Sequence, residues 1–331
     1  MLQFVAAAGV FADLSLENDQ AGDRATVRYG SFATREDVAR ETADADGIII
    51  TTHPFGADHI AALGPRVRVI GRAGIGLDAI DTEAAREAGV AVINFPDYAT
   101  NEVATHAVAL LLALQRRLVE ADRLARAPWG DQAWLGDMAP LETLTLGLVG
   151  LGRIGRAVGE RMRPLVGSVP AYDPASPSRP DGVTGCASLE ELLSTSDLVS
   201  LHLPLLPETA RLIGPAQLAM MRPGALLVNV SRGRLIDEDA LAAALQEEQI
   251  GGAALDVFAH EPLARDARIL QAPNTVLSPH VAWFSTASGP KVRRDTVEAM
   301  IVWLESGTVP RGNLAARPLR SRAEAVSGGV S

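Results

Sequence analysis

The sequence predicts an α/β protein of two lobes, each built on a largely parallel sheet, and three observations carry that expectation. Short apolar runs and helix-capable stretches alternate along most of the chain. One run, Leu144 to Val149, breaks into Gly150-Leu-Gly152-Arg-Ile-Gly155, continues as a helix-capable stretch to about Leu165, and returns as a strand from Ser168 to Tyr172 that ends on Asp173. The length, 331 residues, accommodates about two domains.

The stretch from 144 to 173 reads as a βαβ unit. Gly150 permits a tight turn, Gly152 lets the backbone approach a diphosphate, and Gly155 lets helix and strand pack closely. Arg153 and Ile154 open the helix, whose N-terminus offers unpaired N–H groups to an anion. Asp173 lies 18 residues past Gly155, where a carboxylate accepts hydrogen bonds from both adenosine ribose hydroxyls and repels a 2′-phosphate, so NAD is expected over NADP. Glycines alone also mark ordinary turns. Strand, glycines, helix, second strand and terminal acid in register are what favour a Rossmann-type doubly wound sheet that binds a dinucleotide.

Taken in order, residues 1 to 100 give strands at Phe4–Ala8, Ala25–Tyr29, Gly47–Thr52, Val67–Gly71 and Val90–Asn94, and helices at Arg35–Thr42, Gly56–Leu63 and Thr82–Ala88, with a loop at Arg72–Gly76. Glu102 to about Arg126 is the longest helical pattern, apolar through its middle, and is expected to be buried between lobes or at a subunit interface. Asp131 to Leu141, with Trp129, Trp134 and Pro140 nearby, reads as a connecting loop. Strands then follow at Leu198–Leu203, Ala225–Asn229, Gly252–Val257 and Thr275–Leu277, with a helix at Asp237–Gln246. After a helix from about Pro290 to Glu305, the tail from Arg311 is expected to fray.

Composition narrows the partners. With 47% hydrophobic and 21% charged residues the chain suits ordinary globular cores, and a net charge of −10 disfavours nucleic acid or an anionic membrane as the main partner. The single cysteine, Cys186, excludes an intramolecular disulfide framework and a Cys-rich zinc site, and fits a reducing cytoplasm. No metal is expected. The start, MLQFVAAAGV, lacks a basic n-region and no 18-residue apolar run occurs, so neither secretion nor a membrane span is expected.

Three stretches end predicted strands beyond the glycine loop: Asn229-Val230-Ser231-Arg232-Gly233, Leu255-Asp256-Val257 with Glu261-Pro262, and Ser278-Pro279-His280. In an open parallel sheet the carboxyl ends of strands line the ligand crevice, so these should converge. Arginine, glutamate and histidine beside a nicotinamide suit carbonyl reduction. The reduced oxygen needs a proton donor, expected of His280. A carboxylate beside that imidazole favours its protonated form, the part expected of Glu261. A guanidinium clamps a substrate carboxylate and polarises the carbonyl, the part expected of Arg232.

Six segments together resemble the D-isomer-specific 2-hydroxyacid dehydrogenases over about residues 45 to 310: GRAGIGLDAID (71–81), VAVINFPD (90–97), GLVGLGRIG (147–155), MRPGALLVNVSRGRLIDEDAL (221–241), GGAALDVFAHEP (251–262) and PNTVLSPHVAW (273–283). The resemblance implies that Arg232, Glu261 and His280 are the catalytic trio. Asp256 then contacts the nicotinamide carboxamide, Val230, Ser231 and Arg232 pass under the cofactor, and the Gly74, Ile75 and Gly76 amides hold the substrate carboxylate. It also implies a split layout: a flavodoxin-like substrate lobe from 1–100 and 286–331, an NAD-binding Rossmann lobe from 101–285, and a homodimer. Within the family, HVAWFS (280–285) and Arg72 look most like the C-terminal-binding-protein branch, which places Trp283 and Arg72 beside the substrate. One departure is Val103-Ala104-Thr105, where many members read Val-Ala-Glu.

Plainer readings stand beside these. His280 alone could be a turn residue, Asp256 a cap, Arg72 a solvated surface cation and Trp283 interdomain packing. His202, in Leu201-His202-Leu203-Pro204, borders the cofactor or is only structural. The activity expected is interconversion of a 2-oxo acid and a D-2-hydroxy acid. The alternatives are an NAD(H)-sensing binding protein of corepressor type and a dehydrogenase of a phosphonate-type anion.

Overall fold

The computed structural model describes residues 1–9, 11–127, 138–176, 178–319 and 321–327. The chain divides into two compact units, Met1–Ala99 with Ser285–Ser331, and Thr100–Phe284.

In the first unit five strands run parallel: β1 (Leu2–Ala7), β2 (Ala25–Gly30), β3 (Gly47–Ile50), β4 (Val69–Arg72) and β5 (Ala91–Asn94). Their spatial order, β2-β1-β3-β4-β5, is the flavodoxin-like order. Side chains alternate across the sheet as the strand repeat of two requires. Phe4, Ala6, Ile49, Val69 and Ile93 join one core, and Val5, Ala7, Ile48, Ile50, Ile70 and Val92 the other. Helices α1 (Ser15–Ala21) and α2 (Arg35–Glu41), α3 (Ala57–Ala61) and α4 (Thr82–Glu87) connect these strands. Thr34 caps α2 by accepting from the Asp37 N–H, and Asp81 caps α4 by accepting from Ala84.

The second unit carries seven parallel strands: β6 (Leu146–Val149), β7 (Pro170–Tyr172), β8 (Thr184–Gly185), β9 (Leu198–Leu201), β10 (Leu226–Asn229), β11 (Gly252–Leu255) and β12 (Thr275–Leu277). The order β8-β7-β6-β9-β10-β11-β12 is the Rossmann order 3-2-1-4-5-6 with one strand added. On one face α5 (Thr100–Gln115) packs against β10, β11 and α7 (Arg153–Met162). On the other, α8 (Leu189–Thr195), α9 (Pro215–Met220) and α10 (Glu238–Gln246) cover Val149, Val199, Leu201, Leu227 and Leu255 through Leu192, Leu218, Leu241 and Leu245. Each such buried side chain is worth about 1.5–3 kcal/mol.

Several expectations are corrected. The single helix expected over 102–126 is two, α5 and α6 (Leu118–Arg126), broken where Arg117 takes a left-handed φ of 49°. The apolar stripe ends at Leu114, and α6 buries none of its residues. The described part of the tail forms regular elements. After α11 (Ser288–Ser306), the strand β13 (Asn313–Ala316) pairs antiparallel with β5, satisfying an edge that would otherwise be bare. Helix α12 (Arg322–Ser327) is held by its buried Arg322, which donates to the Ala88 and Leu63 carbonyls. Helices α1, α8 and α9 and strand β8 were not anticipated, although Ser188-x-x-Glu191 is a legible start signal: Ser188 Oγ accepts from the Glu191 N–H and Glu191 from the Ala187 N–H. Trp129, Trp134 and most of the expected 131–141 loop lie outside the described residues. Among the described residues no helix is long and apolar enough to cross a membrane.

Candidate active site

The carboxyl ends of β6, β9, β10, β11 and β12, adjacent in one parallel sheet, carry the residues singled out in the second unit. At the end of β6, Gly150 has a φ of 100°, and a Cβ there would stand 2.5 Å from the His202 carbonyl oxygen. A Cβ on Gly155 would stand 2.2 Å from the Gly150 carbonyl oxygen, so the start of α7 lies directly on the turn. Gly152, the N-cap of α7, differs from both: a Cβ on it would meet nothing within 4 Å. Arg153 is exposed and Ile154 half-buried in the first turn of α7.

Asp173 ends β7 and reaches back to this turn. Its Oδ2 accepts from the Leu151 N–H at 2.7 Å and its Oδ1 from the Ala175 N–H at 2.9 Å. Arg156 ties the same two segments, donating from Nε to the Leu151 carbonyl and from Nη2 to Ser176 Oγ and the Ser178 carbonyl. At the end of β9, His202 is buried, with neither ring nitrogen hydrogen-bonded, and burial pushes its pKa down to about 3. Leu203 is half-buried and Pro204 exposed just beyond it.

The trio's arrangement rests on a close backbone approach. Gly233 packs on the Phe258–Ala259 peptide so tightly that a Cβ would fall 1.8 Å from the Phe258 carbonyl carbon. That contact brings the turn after β10 beside the turn after β11. Asn229 secures the first turn, accepting from the Ser231 N–H and donating to the Arg232 carbonyl, while Ser231 Oγ donates to the Leu201 carbonyl. Val230 is buried beneath, and Arg232 Nη1 donates to the Ser231 carbonyl. In the second turn Glu261 Oε1 accepts from the Phe258 N–H at 2.9 Å, and Glu238 accepts from Ala259. Glu261 Oε2 stands 2.6 Å from His280 Nδ1, each side chain 32% exposed. Burial pushes the Glu261 carboxyl up, but hydrogen bonds from His280 and Phe258 and the charges of His280 and Arg232 outweigh it and hold the carboxyl below its ordinary value.

Asp256, at the end of β11, is fully buried. Its Oδ1 accepts from Ser278 Oγ at 2.6 Å and the Val281 N–H at 3.0 Å, and its Oδ2 from the Ala282 N–H at 2.9 Å. Burial raises its pKa, yet these donors together with His106 leave it lower than an ordinary carboxyl. The Asp256 carbonyl accepts from the His280 N–H at 2.7 Å, and the His280 carbonyl accepts from the Trp283 indole N–H at 3.0 Å. His280 itself has a φ of 53°, a left-handed conformation uncommon for residues other than glycine. Both of its backbone polar groups are thus tied down.

Residues 108–282, just over half the chain, match the model for the NAD binding domain of the D-isomer specific 2-hydroxyacid dehydrogenases. The chain belongs to that family. Among its relatives is the D-3-phosphoglycerate dehydrogenase of Mycobacterium leprae, 35% identical over 292 residues, which are 87% of this chain and 55% of that protein. The chain therefore spans about half the length of the curated relatives it matches. Similar solved structures include the TT0316 protein from Thermus thermophilus, with 34% identity, a TM-score of 0.81 and coverage of 94% of this chain and 99% of that one. Another is D-lactate dehydrogenase from Aquifex aeolicus complexed with NAD and lactic acid, with 26% identity, a TM-score of 0.83 and coverage of 94% and 99%. The resemblance to the C-terminal-binding-protein branch rests on the sequence motifs alone, and the relatives named here are of other kinds.

For this family member the residues present fit NAD. The open space at Gly152, the helix N-terminus behind it and the orphaned imidazole of His202 beside the glycine turn form a cradle that the chain's own groups leave unfilled. Among the described residues no cluster of three or more His, Cys, Asp or Glu side chains is placed to hold a metal ion.

In the first unit, Arg72 ends β4 and its guanidinium folds over the following loop. Nη1 donates to the Ala73 carbonyl, and a Cβ on Gly74, whose φ is 152°, would collide with that nitrogen. Asn94 Nδ2 donates to the Ile75 carbonyl at 2.6 Å, and the Gly74 carbonyl accepts from the Phe95 N–H, so the Gly74-Ile75-Gly76 turn is braced from β5. Asn229, Gly233, Glu238, Ser278 and His106 were not singled out from sequence. Gly233 was within reach, as the glycine that follows Arg232 at a strand end. Asn229 acts within its own turn, and Glu238, Ser278 and His106 act through contacts between segments distant in the chain.

Proposed function

We propose that the protein is an NAD-dependent dehydrogenase interconverting a 2-oxo acid and a D-2-hydroxy acid, with His280 as proton donor, Glu261 as its partner and Arg232 holding the substrate. The observation that carries this reading is the 2.6 Å contact between His280 Nδ1 and Glu261 Oε2. An ionised carboxylate only accepts, so Nδ1 carries the hydrogen between them and Nε2 is the nitrogen that addresses substrate. Bound NADH supplies the hydride. As the carbonyl carbon is reduced, the Nε2–H bond breaks and an O–H bond forms on the substrate oxygen, leaving a neutral imidazole. Glu261 orients the ring through Nδ1 for the transfer, and in the oxidative direction Nε2 takes the proton back. Arg232 and the Gly74, Ile75 and Gly76 amides hold the substrate carboxylate, and Arg232 also polarises the carbonyl.

In this reading Thr100–Phe284 is the cofactor lobe and the other unit the substrate lobe. Gly150, Gly152, Arg153, Ile154 and Gly155 receive the diphosphate, Asp173 the adenosine ribose in preference to a 2′-phosphate, and His202, Leu203, Pro204, Val230, Ser231 and Asp256 border the rest. The homodimer and cytoplasmic setting expected from sequence remain part of the proposal.

One observation favours a narrower substrate class. The Arg72 guanidinium lies over Gly74, adding a cation to the loop assigned to the carboxylate. A second anionic group on the substrate suits that cation, and D-3-phosphoglycerate, from the relatives' name, is such a compound. The test is NADH oxidation by the purified protein with a panel of 2-oxo acids, with and without a phosphate or second carboxylate. His280→Ala should abolish turnover while NADH still binds. Undiminished turnover in that variant rejects the proton donor.

A further inference from the structure

His106, on α5, has no part in the chemistry above, yet it contacts the structure that presents His280. Its Nε2 stands 2.9 Å from Ser278 Oγ and 3.5 Å from Asp256 Oδ1, and its side chain is 26% exposed. The direction of the first contact follows from proton counting. Ser278 Oγ donates its one hydrogen to Asp256 Oδ1 at 2.6 Å, so toward His106 it can only accept. His106 Nε2 therefore carries a hydrogen and donates it. The chain of donors runs from His106 to Ser278 to Asp256.

Asp256 is where that chain meets the catalytic turn. Its two carboxylate oxygens receive the Val281 and Ala282 N–H groups and its carbonyl receives the His280 N–H. Those bonds hold His280 at a φ of 53°, a conformation that persists only where its surroundings enforce it. We propose that His106 is a positioning residue: acting through Ser278 and Asp256, it holds the turn that aims the His280 imidazole at Glu261 and the reacting carbonyl. The proposal rests on the reading of His280 as proton donor. Without the His106 N–H, Ser278 is free to rotate, Asp256 loses the shortest of its hydrogen bonds, and the left-handed turn relaxes.

The experiment compares His106→Leu, which fills the space without a donor, with His106→Gln, whose side-chain amide N–H replaces Nε2–H. Amide hydrogen exchange in the unliganded protein reads the turn directly, and β9–β11 amides report that the fold is intact. His106→Leu should speed exchange at His280, Val281 and Ala282 by about tenfold, as expected for one lost hydrogen bond. It should also lower kcat by about tenfold to a hundredfold, the scale of a small misplacement. His106→Gln should restore both. Wild-type exchange and turnover in His106→Leu, or equal defects in the two variants, overturn the proposal. If His280→Ala retains full turnover, the functional reading falls instead, and the exchange data still decide whether His106 holds the turn.

Discussion

The three glycines of the turn after β6 separate fold from ligand, and Gly152→Ala is the decisive change. At a φ of −67° and with no atom within 4 Å of its Cβ position, an alanine fits the unliganded protein. The unfolded chain loses some freedom, worth about 0.4–1 kcal/mol, and a glycine N-cap is replaced by a poorer one at a similar cost. Stability should therefore stay within about 1 kcal/mol of wild type. The new methyl nevertheless occupies the space through which a diphosphate must approach the backbone, so the Kd for NADH should rise at least tenfold, which is about 1.4 kcal/mol. Gly155→Ala is the opposite control. Its Cβ would lie 2.2 Å from a backbone oxygen, and overpacking of that kind costs about 1–3 kcal/mol before any ligand is added. Urea unfolding and a fluorescence titration with NADH read the two effects apart. A Gly152→Ala protein that binds NADH as tightly as wild type refutes the assignment of this turn to the diphosphate.

Further outcomes follow from the same structure. Glu261→Gln keeps a hydrogen-bonding oxygen near His280 but removes the charge, so turnover at neutral pH should fall by about tenfold. Because folding holds the Glu261 carboxyl below its ordinary 4.5, its stabilisation is complete above that pH and is lost as pH drops through the lower folded value. Unfolding free energies of wild type and Glu261→Gln should therefore converge only in strong acid, and convergence already at pH 6 contradicts this account. His202 titrates in the other sense. With its folded pKa lowered from 6.5 to about 3, the unfolded chain binds the extra proton, so stability falls as pH drops below 6.5, by about 2–3 kcal/mol at pH 4.5. Urea curves at pH 7.5 and 4.5 for wild type and His202→Asn test it, and equal losses in both proteins reject it. In the first unit Arg293 bonds the fully buried Glu17 through Nε and Nη2 and lies over the Phe11 ring. Arg293→Met should cost about 3–5 kcal/mol by stranding a buried carboxylate, and adding Glu17→Met should recover most of it. A loss below about 1 kcal/mol in the single variant argues against the pair.

The sheets were legible where apolar runs met turn residues, as with Gly47-Ile-Ile-Ile50 and the glycine turn of 150–155. Strand order was implied by the family resemblance alone, since hydropathy says nothing of which strands lie side by side. The 102–126 pattern was read as one helix because its charged end keeps helical composition, and composition does not register the left-handed Arg117 that splits it. The pairing of β13 with β5 was missed because Asn313-Leu-Ala-Ala316 is short and weakly patterned, and only an open sheet edge gives it a partner. The motifs pointed to Arg232, Glu261 and His280. The supports around them, Asn229, Gly233, Ser278 and His106, act through backbone or hydroxyl contacts that leave no periodic trace.

The first sheet draws one of its two cores from the far end of the chain. Val292, Val297, Met300 and Ile301 of α11 pack with Phe4, Ile49 and Ile93, and Gly47 and Gly71 are bare where Met300 presses on the strands. On a ribosome, the opening 99 residues emerge with that face uncovered, and nearly two hundred more must be joined before its cover exists, whereas Thr100–Phe284 is contiguous. Residues 100–284 are thus able to finish folding before residues 1–99, which wait with oily surface open to chaperones.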